Sequence, residues 1–454
     1  MEGKSLATRV ILVRHGESTF NVEGRVQGHL DQSFLTTQGL ADARRVGETL
    51  NGIAFDAIYC SPLQRAGQTA ATIRDALVSH AAVPNVQVEE GLIEIGLPLW
   101  EGMLFEQVKT EFPEQYQCWN SAPEQLCMEL SGPEGAQSFY PVPALYEQAK
   151  ALWQKLLPQH EGQTILLVGH SGINRALLST ALGLTPERYQ RLQQANCNIS
   201  VLNFPGLNQK PQLEALNLTD HLGLPLPKLW RHYRGLRLIL VRHGETEWNR
   251  RGQFQGQIDV PLNENGRLQG QQAADFLKDI PIDFAISSSL ARPKETAELI
   301  LQSHPQVQLD LSEPLWEISH GTWEGCLEPE IEKRYPGELE RWRTTPETVQ
   351  MPEGENLQQV WDRAIAAWDE IVANALATDQ TEQTGLVVAH DAINKVVLCH
   401  VAGLGPEHFW CFKQGNGAVS VIDYDADGHP ILQAMNITTH LAGGVLDQTA
   451  AGAL

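Results

Sequence analysis

The sequence predicts an α/β protein made of two tandem domains of one kind, each a mainly parallel sheet covered by helices on both faces. Three observations carry this expectation. The chain has 454 residues, more than one domain usually holds. A domain-sized pattern is written twice, with "VILVRHGEST" near the start and "LILVRHGETE" in the middle. Within each copy, short wholly apolar runs alternate with segments of helical periodicity, an order that makes a three-layer α/β/α sandwich.

The elements of the first copy follow in order. "RVILV" is too apolar for a half-exposed strand and predicts one buried on both faces. "LADARRVGETL" carries apolar residues at helical spacing, then "AIYC" predicts a second buried strand. "RAGQTAATIRDAL" predicts a helix, "TILLV" a strand, "GINRALLSTAL" a helix and "ISVLNF" a final strand. Aligning His15 with His243, 228 positions on, matches these segments to the second half. "AIYCSPLQRAGQTAATI" meets "FAISSSLARPKETAELI", "LIEIGLPLWEG" meets "LWEISHGTWEG", and "TILLVGHSGINRALL" meets "TGLVVAHDAINKVVL". Such collinear matches imply a duplication. The first domain is placed at 1–220 and the second at 236–441, with a Leu- and Pro-rich linker at 221–235 and a loosely ordered tail at 442–454.

Composition narrows the partners. With 33 Lys and Arg against 55 Asp and Glu, the net charge is -22. A chain this acidic repels polyanions, so neither nucleic acid nor an anionic membrane surface is an expected partner. Seven scattered cysteines with no C-x-x-C pair read as reduced thiols rather than a disulfide framework or zinc site. "MEGKSLATRV" runs directly into strand-like sequence, and no apolar run reaches membrane-spanning length, so a cytoplasmic protein is expected. Oligomeric state is not legible.

In sheets of this kind ligands bind beyond the carboxyl ends of the strands. Arg14-His15 and His170 fall there in the first copy, Arg242-His243 and His390 in the second. No G-x-x-x-x-G-K-[ST] loop is present. Arginines beside the histidines would repel a metal cation but suit a phosphate, because the guanidinium fork matches phosphate oxygens. A neutral imidazole can itself attack phosphorus. The pattern therefore points to phosphoryl chemistry with no metal and no cofactor. Structural readings exist for each residue: a strand-end role for the histidines, solvated first-turn arginines, surface glutamates, turn asparagines. Trp100 and Trp323 read as packing residues.

"LVRHGES" and "LVRHGET", with "SPLQRAGQTA", the "WEG" blocks and "GHSGINRAL", resemble the histidine phosphatase superfamily, which includes the cofactor-dependent phosphoglycerate mutases. The resemblance covers nearly the whole chain and implies two tandem phosphoglycerate mutase-like domains. By it, His15 and His243 are nucleophiles, and Arg14, Arg65 and His170, with Arg242, Arg292 and His390, hold the phosphate. Glu94 and Glu317 would protonate the leaving oxygen, while Asn21 and Asn249 would contact phosphate or substrate. "FYPVPALYEQAKALW" and "LQQANCNISVLNF" look like segments of the plant 2-carboxy-D-arabinitol-1-phosphatases, tandem members of the superfamily. The implied activity is metal-independent hydrolysis of small sugar or sugar-acid phosphates. Mutase-type transfer, or one catalytic and one regulatory domain, stays open. One departure stands out: Pro98 takes the place of Gly321, so the loop beside Glu94 is expected to run differently, which leaves the exact placement of Glu94 open but not the phosphate pocket.

Overall fold

The wholly apolar runs form the strands. In the computed structural model, which describes residues 7–78, 83–132, 135–206, 209–229, 235–378, 382–441 and 444–449, Val10 to Val13 and Leu238 to Val241 are shut off from solvent. Burial of such side chains contributes about 1.5–3 kcal/mol each. The chain divides into two units, Met1–Leu213 with Asn217–Leu224, and Glu214–Leu216 with Pro225–Leu454.

The first unit runs β1 (Thr8–Arg14), α1 (Thr37–Thr49), β2 (Ala57–Cys60), α2 (Gln64–Ala76), β3 (Val86–Val88), β4 (Met128–Gly132), β5 (Gly135–Phe139), α3 (Pro141–Leu156), β6 (Thr164–Gly169), α4 (Ser171–Leu182) and β7 (Ile199–Phe204). Strands β3, β2, β6 and β1 lie side by side in parallel, and β7 closes on β1 antiparallel. Helices α1 and α2 pack on one another, as do α3 and α4. Thr36 caps α1, its hydroxyl accepting from Gly39 N, and Ala43, Val46 and Gly47 form its buried stripe. The β4–β5 hairpin was not expected from the sequence: the described residues of β5 are mostly exposed, so no apolar alternation announces it. Nor was β8 (Gln212–Leu218), of which Glu214–Leu216 belong to the second unit and the flanking residues to the first.

The second unit repeats the plan with β9 (Gly235–Arg242), α5 (Glu264–Leu277), β10 (Phe284–Ser288), α6 (Ala291–Leu301), β11 (Leu309–Ser312), α7 (Leu357–Leu376), β12 (Glu382–Ala389), α8 (Asp391–Ala402), β13 (Val419–Asp425) and β14 (Pro430–Ile437). Strands β11, β10, β12 and β9 are parallel, and β13 and β14 add antiparallel. Between β9 and β13, Arg237 meets Asp423 through two charge-assisted hydrogen bonds of 2.7 and 2.8 Å. At the equivalent register in the first unit, Arg9 donates to Asn203.

Of the linker segment, residues 230–234 lie outside the described residues, as do 442–443 and 450–454 of the tail. Asp447 is ion-paired with Lys413 at 3.5 Å, and Thr449 Oγ1 accepts from Asn416 N. Polar side chains, invisible to an apolar pattern, hold this segment.

Candidate active site

The strand register builds the site. Arg14 is level with Gly169 at the carboxyl ends of β1 and β6, and His15 N donates to Gly169 O at 2.9 Å. His15 and His170 are therefore each one residue past the ends of adjacent strands. Their rings meet edge to face with centroids 5.1 Å apart. The second unit repeats this: Arg242 is level with Ala389, and the rings of His243 and His390 are 5.2 Å apart.

Hydrogen bonding fixes which ring nitrogen is free to react. His15 Nδ1 faces Gly16 O at 2.7 Å, and His243 Nδ1 faces Gly244 O at 2.7 Å. A carbonyl only accepts, so Nδ1 carries the proton and Nε2 keeps its lone pair. Arg292 Nε donates to that lone pair on His243 at 3.3 Å. Burial, then Arg14 and Arg65, push the His15 imidazole well below its usual range; burial, then Arg292 and Arg242, do the same to His243. Both rings are neutral at pH 7. Burial likewise lowers His170 and His390, whose Nε2 atoms share hydrogen bonds of 2.7 and 2.8 Å with Ser61 and Ser288.

The arginines are held by carbonyls. Arg65 donates to Gly28 O and Leu30 O, and Arg292 to Gly256 O and Ile258 O. Arg14 NH1 donates to Gln194 O, and Arg242 NH1 to Gln414 O. Burial lowers Arg14 and Arg292 only to about 10, so both remain cationic at pH 7. Among the described residues, Arg14 Nε, Arg65 Nε, His170 Nδ1 and His390 Nδ1 are buried without a hydrogen-bond partner. Such orphaned donors cost about 1–3 kcal/mol each unless a ligand supplies acceptors.

Glu94 and Glu317 cap the helices that begin beside the second histidines. Glu94 accepts from Ile95 N at 2.9 Å, Ile173 N at 3.1 Å and Gly172 N at 3.2 Å. Glu317 accepts from Ile318 N at 3.0 Å and Ala392 N at 3.2 Å. The environments differ. Glu94 is part-exposed, whereas Glu317 is buried and pushed up to about 7, by burial first and then by the Asp391 carboxylate. Pro98 leaves these contacts of Glu94 intact. Glu94 is anchored upstream of the proline, with His29 Nε2 2.7 Å from its carbonyl and Gln148 Nε2 donating to Gly91 O and Ile93 O. What changes is the covering segment. Gly321, at φ +56°, lies so close to Pro352 that a Cβ would stand 2.0 Å from its carbonyl oxygen.

Asn21 and Asn249 lie in the first turns of the short helices that follow the nucleophile segments. Their Oδ1 atoms accept from Ser18 N and Thr246 N at 3.1 Å, completing capping boxes of two short helices. Three further residue pairs, not singled out from sequence, shape the site. Asn196 and Asn416 donate to the carbonyls of His15 and His243 and contact Asn21 and Asn249. Thr69 and Thr296 accept from Gly16 N and Gly244 N. Glu101 takes His29 N and Leu97 N, and Glu324 takes Gln257 N, Ile258 N and His320 N. These glutamates pin the loops whose carbonyls hold Arg65 and Arg292. The repeated "QAN/QGN", "R-x-x-x-T" and "WEG" were their sequence signals.

Other features lie elsewhere. Among the described residues, only Asp425, Asp427 and His429 have metal-ligand spacing, on an exposed turn where Asp425 already accepts from Asp427 N and His429 N. A cavity of 740 Å³ lies between β11 and α7, lined by Phe284, Leu311, Arg363 and Ile371 among others, and includes neither histidine pair. No helix of the described residues is long and apolar enough to cross a membrane.

The family model for the histidine phosphatase superfamily (branch 1) matches the chain twice, at residues 10–219 and 238–438. The chain is similar to wheat (Triticum aestivum) 2-carboxy-D-arabinitol-1-phosphatase, 30% identical over 461 residues covering 96% of this chain and 87% of the relative. A probable 2-carboxy-D-arabinitol-1-phosphatase of Arabidopsis thaliana is 28% identical over 95% of this chain and 88% of its own. Phosphoserine phosphatase 1 of Hydrogenobacter thermophilus is 34% identical over 45% of this chain and 94% of its own. The chain belongs to the histidine phosphatase superfamily, branch 1, as a tandem of two such domains, and is an enzyme of the phosphoric monoester hydrolase class.

Proposed function

We propose that both units hydrolyse small phosphate monoesters, sugar or sugar-acid phosphates, through a phosphohistidine and without a metal ion. The observation that carries this reading is the neutral imidazole with its lone pair on Nε2, set among buried cationic donors. In the first half-reaction, Nε2 of His15 or His243 bonds to phosphorus as the bond to the ester oxygen breaks. Arg14, Arg65 and His170, or Arg242, Arg292 and His390, stabilise charge on the three equatorial oxygens. Glu94 or Glu317 gives its proton to the leaving oxygen. In the second half, water attacks phosphorus, the same glutamate takes its proton, and the N–P bond breaks to release phosphate and the free imidazole.

The near full-length likeness to plant 2-carboxy-D-arabinitol-1-phosphatases supports a sugar-acid phosphate as substrate. The seven cysteines are free thiols, which supports a reducing, cytoplasmic setting. The test compares His15→Ala, His243→Ala and the double variant on a panel of phosphate esters, with 3-phosphoglycerate isomerisation followed in parallel. Each single variant should keep one set of activities and the double variant none. Phosphate release by the double variant at the wild-type rate would overturn the nucleophile assignment, and isomerisation faster than release would make the enzyme a mutase.

A further inference from the structure

The two units share one plan but differ in a charge beside the second histidine. In the second, Asp391 Oδ1 lies 3.3 Å from Arg242 NH1 and its Oδ2 2.6 Å from Lys395 Nζ. All three side chains are buried, so one carboxylate bridges two cations away from water. In the first unit Ser171 stands where Asp391 does, Arg175 where Lys395 does, and Arg14 where Arg242 does.

There the two guanidinium groups remain without the anion. Arg14 feels the Glu94 carboxylate first and then the like charge of Arg175, and among the described residues neither arginine forms an ion pair. Arg14 NH1 is used on Gln194 O and Arg175 NH2 on Gln193 Oε1, while the Nε of each is buried without a hydrogen-bond partner. Exposure changes in step: Arg14, Ser171 and Arg175 are all part-exposed, whereas Arg242, Asp391 and Lys395 are buried. Two partly desolvated like charges are unfavourable unless an anion joins them, and the guanidinium fork suits a carboxylate better than an ammonium does.

Resting on the phosphate-ester reading above, we propose that the first unit has a carboxylate seat at Ser171. A carboxylate of the substrate bridges Arg14 and Arg175 there, as Asp391 bridges Arg242 and Lys395 in the second unit. The first site thus selects phosphate esters that carry a carboxylate. The second supplies its own carboxylate and takes esters without one.

The test uses two esters of one size, 3-phosphoglycerate and glycerol 3-phosphate, which differ in a carboxylate. Titration calorimetry on the full chain with His15→Ala and His243→Ala reads binding without turnover. The expected result is one site preferring 3-phosphoglycerate by about tenfold or more, from charge-assisted hydrogen bonds. Adding Ser171→Asp fills the seat and should abolish that preference while glycerol 3-phosphate still binds; Arg175→Gln should weaken the carboxylate ester alone. In turnover, His243→Ala should prefer 3-phosphoglycerate through KM, and His15→Ala should not. A first site with no preference, or one untouched by Ser171→Asp and Arg175→Gln, overturns the seat. Failure of the wild type to release phosphate from any ester would instead sink the hydrolase reading, and the calorimetry would still decide the seat.

Discussion

Glu317→Gln should make the second unit more stable and far less active, because burial sets the two demands on this carboxyl against each other. The side chain is 2% exposed, and its carboxyl is pushed up to about 7 from an ordinary 4.5. A raised carboxyl binds its proton more tightly in the folded state. Stability is therefore fully present below pH 4.5 and is lost as pH rises through about 7. A gap of that size costs on the order of 3 kcal/mol once the group must ionise in the fold. Glutamine does not ionise, and its Oε1 can still accept from Ile318 N and Ala392 N, as Glu317 Oε1 does at 3.0 and 3.2 Å. Chemical denaturation should show the variant gaining up to about 3 kcal/mol at pH 8.5 and nothing at pH 4.5. Phosphate release from glycerol 3-phosphate, with His15→Ala silencing the first site, should fall about 10²–10⁴-fold, the usual contribution of a general acid. In the parent, release should decline as pH rises past 7 while the acid loses its proton. Activity within tenfold of the parent, or a stability gain equal at both pH values, would refute this account of Glu317.

Arg292→Lys keeps a cation but loses the fork that meets Gly256 O, Ile258 O and His243; second-site kcat should fall about 10²–10³-fold by steady-state assay. Glu324→Ala strands three amides, those of Gln257, Ile258 and His320, so a cost of about 1–3 kcal/mol in urea titration is expected, with a lower kcat/KM at the second site alone. Gly321→Ala puts a Cβ 2.0 Å from Pro352 O at a positive φ, and should destabilise by about 2 kcal/mol or more in the same titration.

The parts of the molecule legible from sequence are those written in local pattern. Val10 to Val13 and Leu238 to Val241 announce buried strands because every side chain is apolar, and their register then sets His15 beside His170 and His243 beside His390. What escaped depends on contacts across long separations. Asn196 reaches the His15 carbonyl from 181 positions away, and Glu101 closes on His29 N from 72. The β4–β5 hairpin escaped because its described side chains mostly face water. Pro98 bears on the covering loop rather than on Glu94. A proline does bar the backbone of Gly321, but Glu94 is anchored by Ile95 N, Gln148 and α4, none of which depends on that loop conformation. Asp391 was visible as an acid beside His390, whereas its bridge between Arg242 and Lys395 needed the fold.

The most direct test is to quench the wild-type enzyme during turnover in alkali, where phosphoramidates survive, and map the phosphoryl group by peptide mass spectrometry. The phosphoryl group should be found on His15 and His243, and its removal by mild acid should restore the unmodified peptides. A phosphoryl group on a serine or aspartate, or none on either histidine under conditions that trap intermediates, would contradict covalent catalysis by these imidazoles.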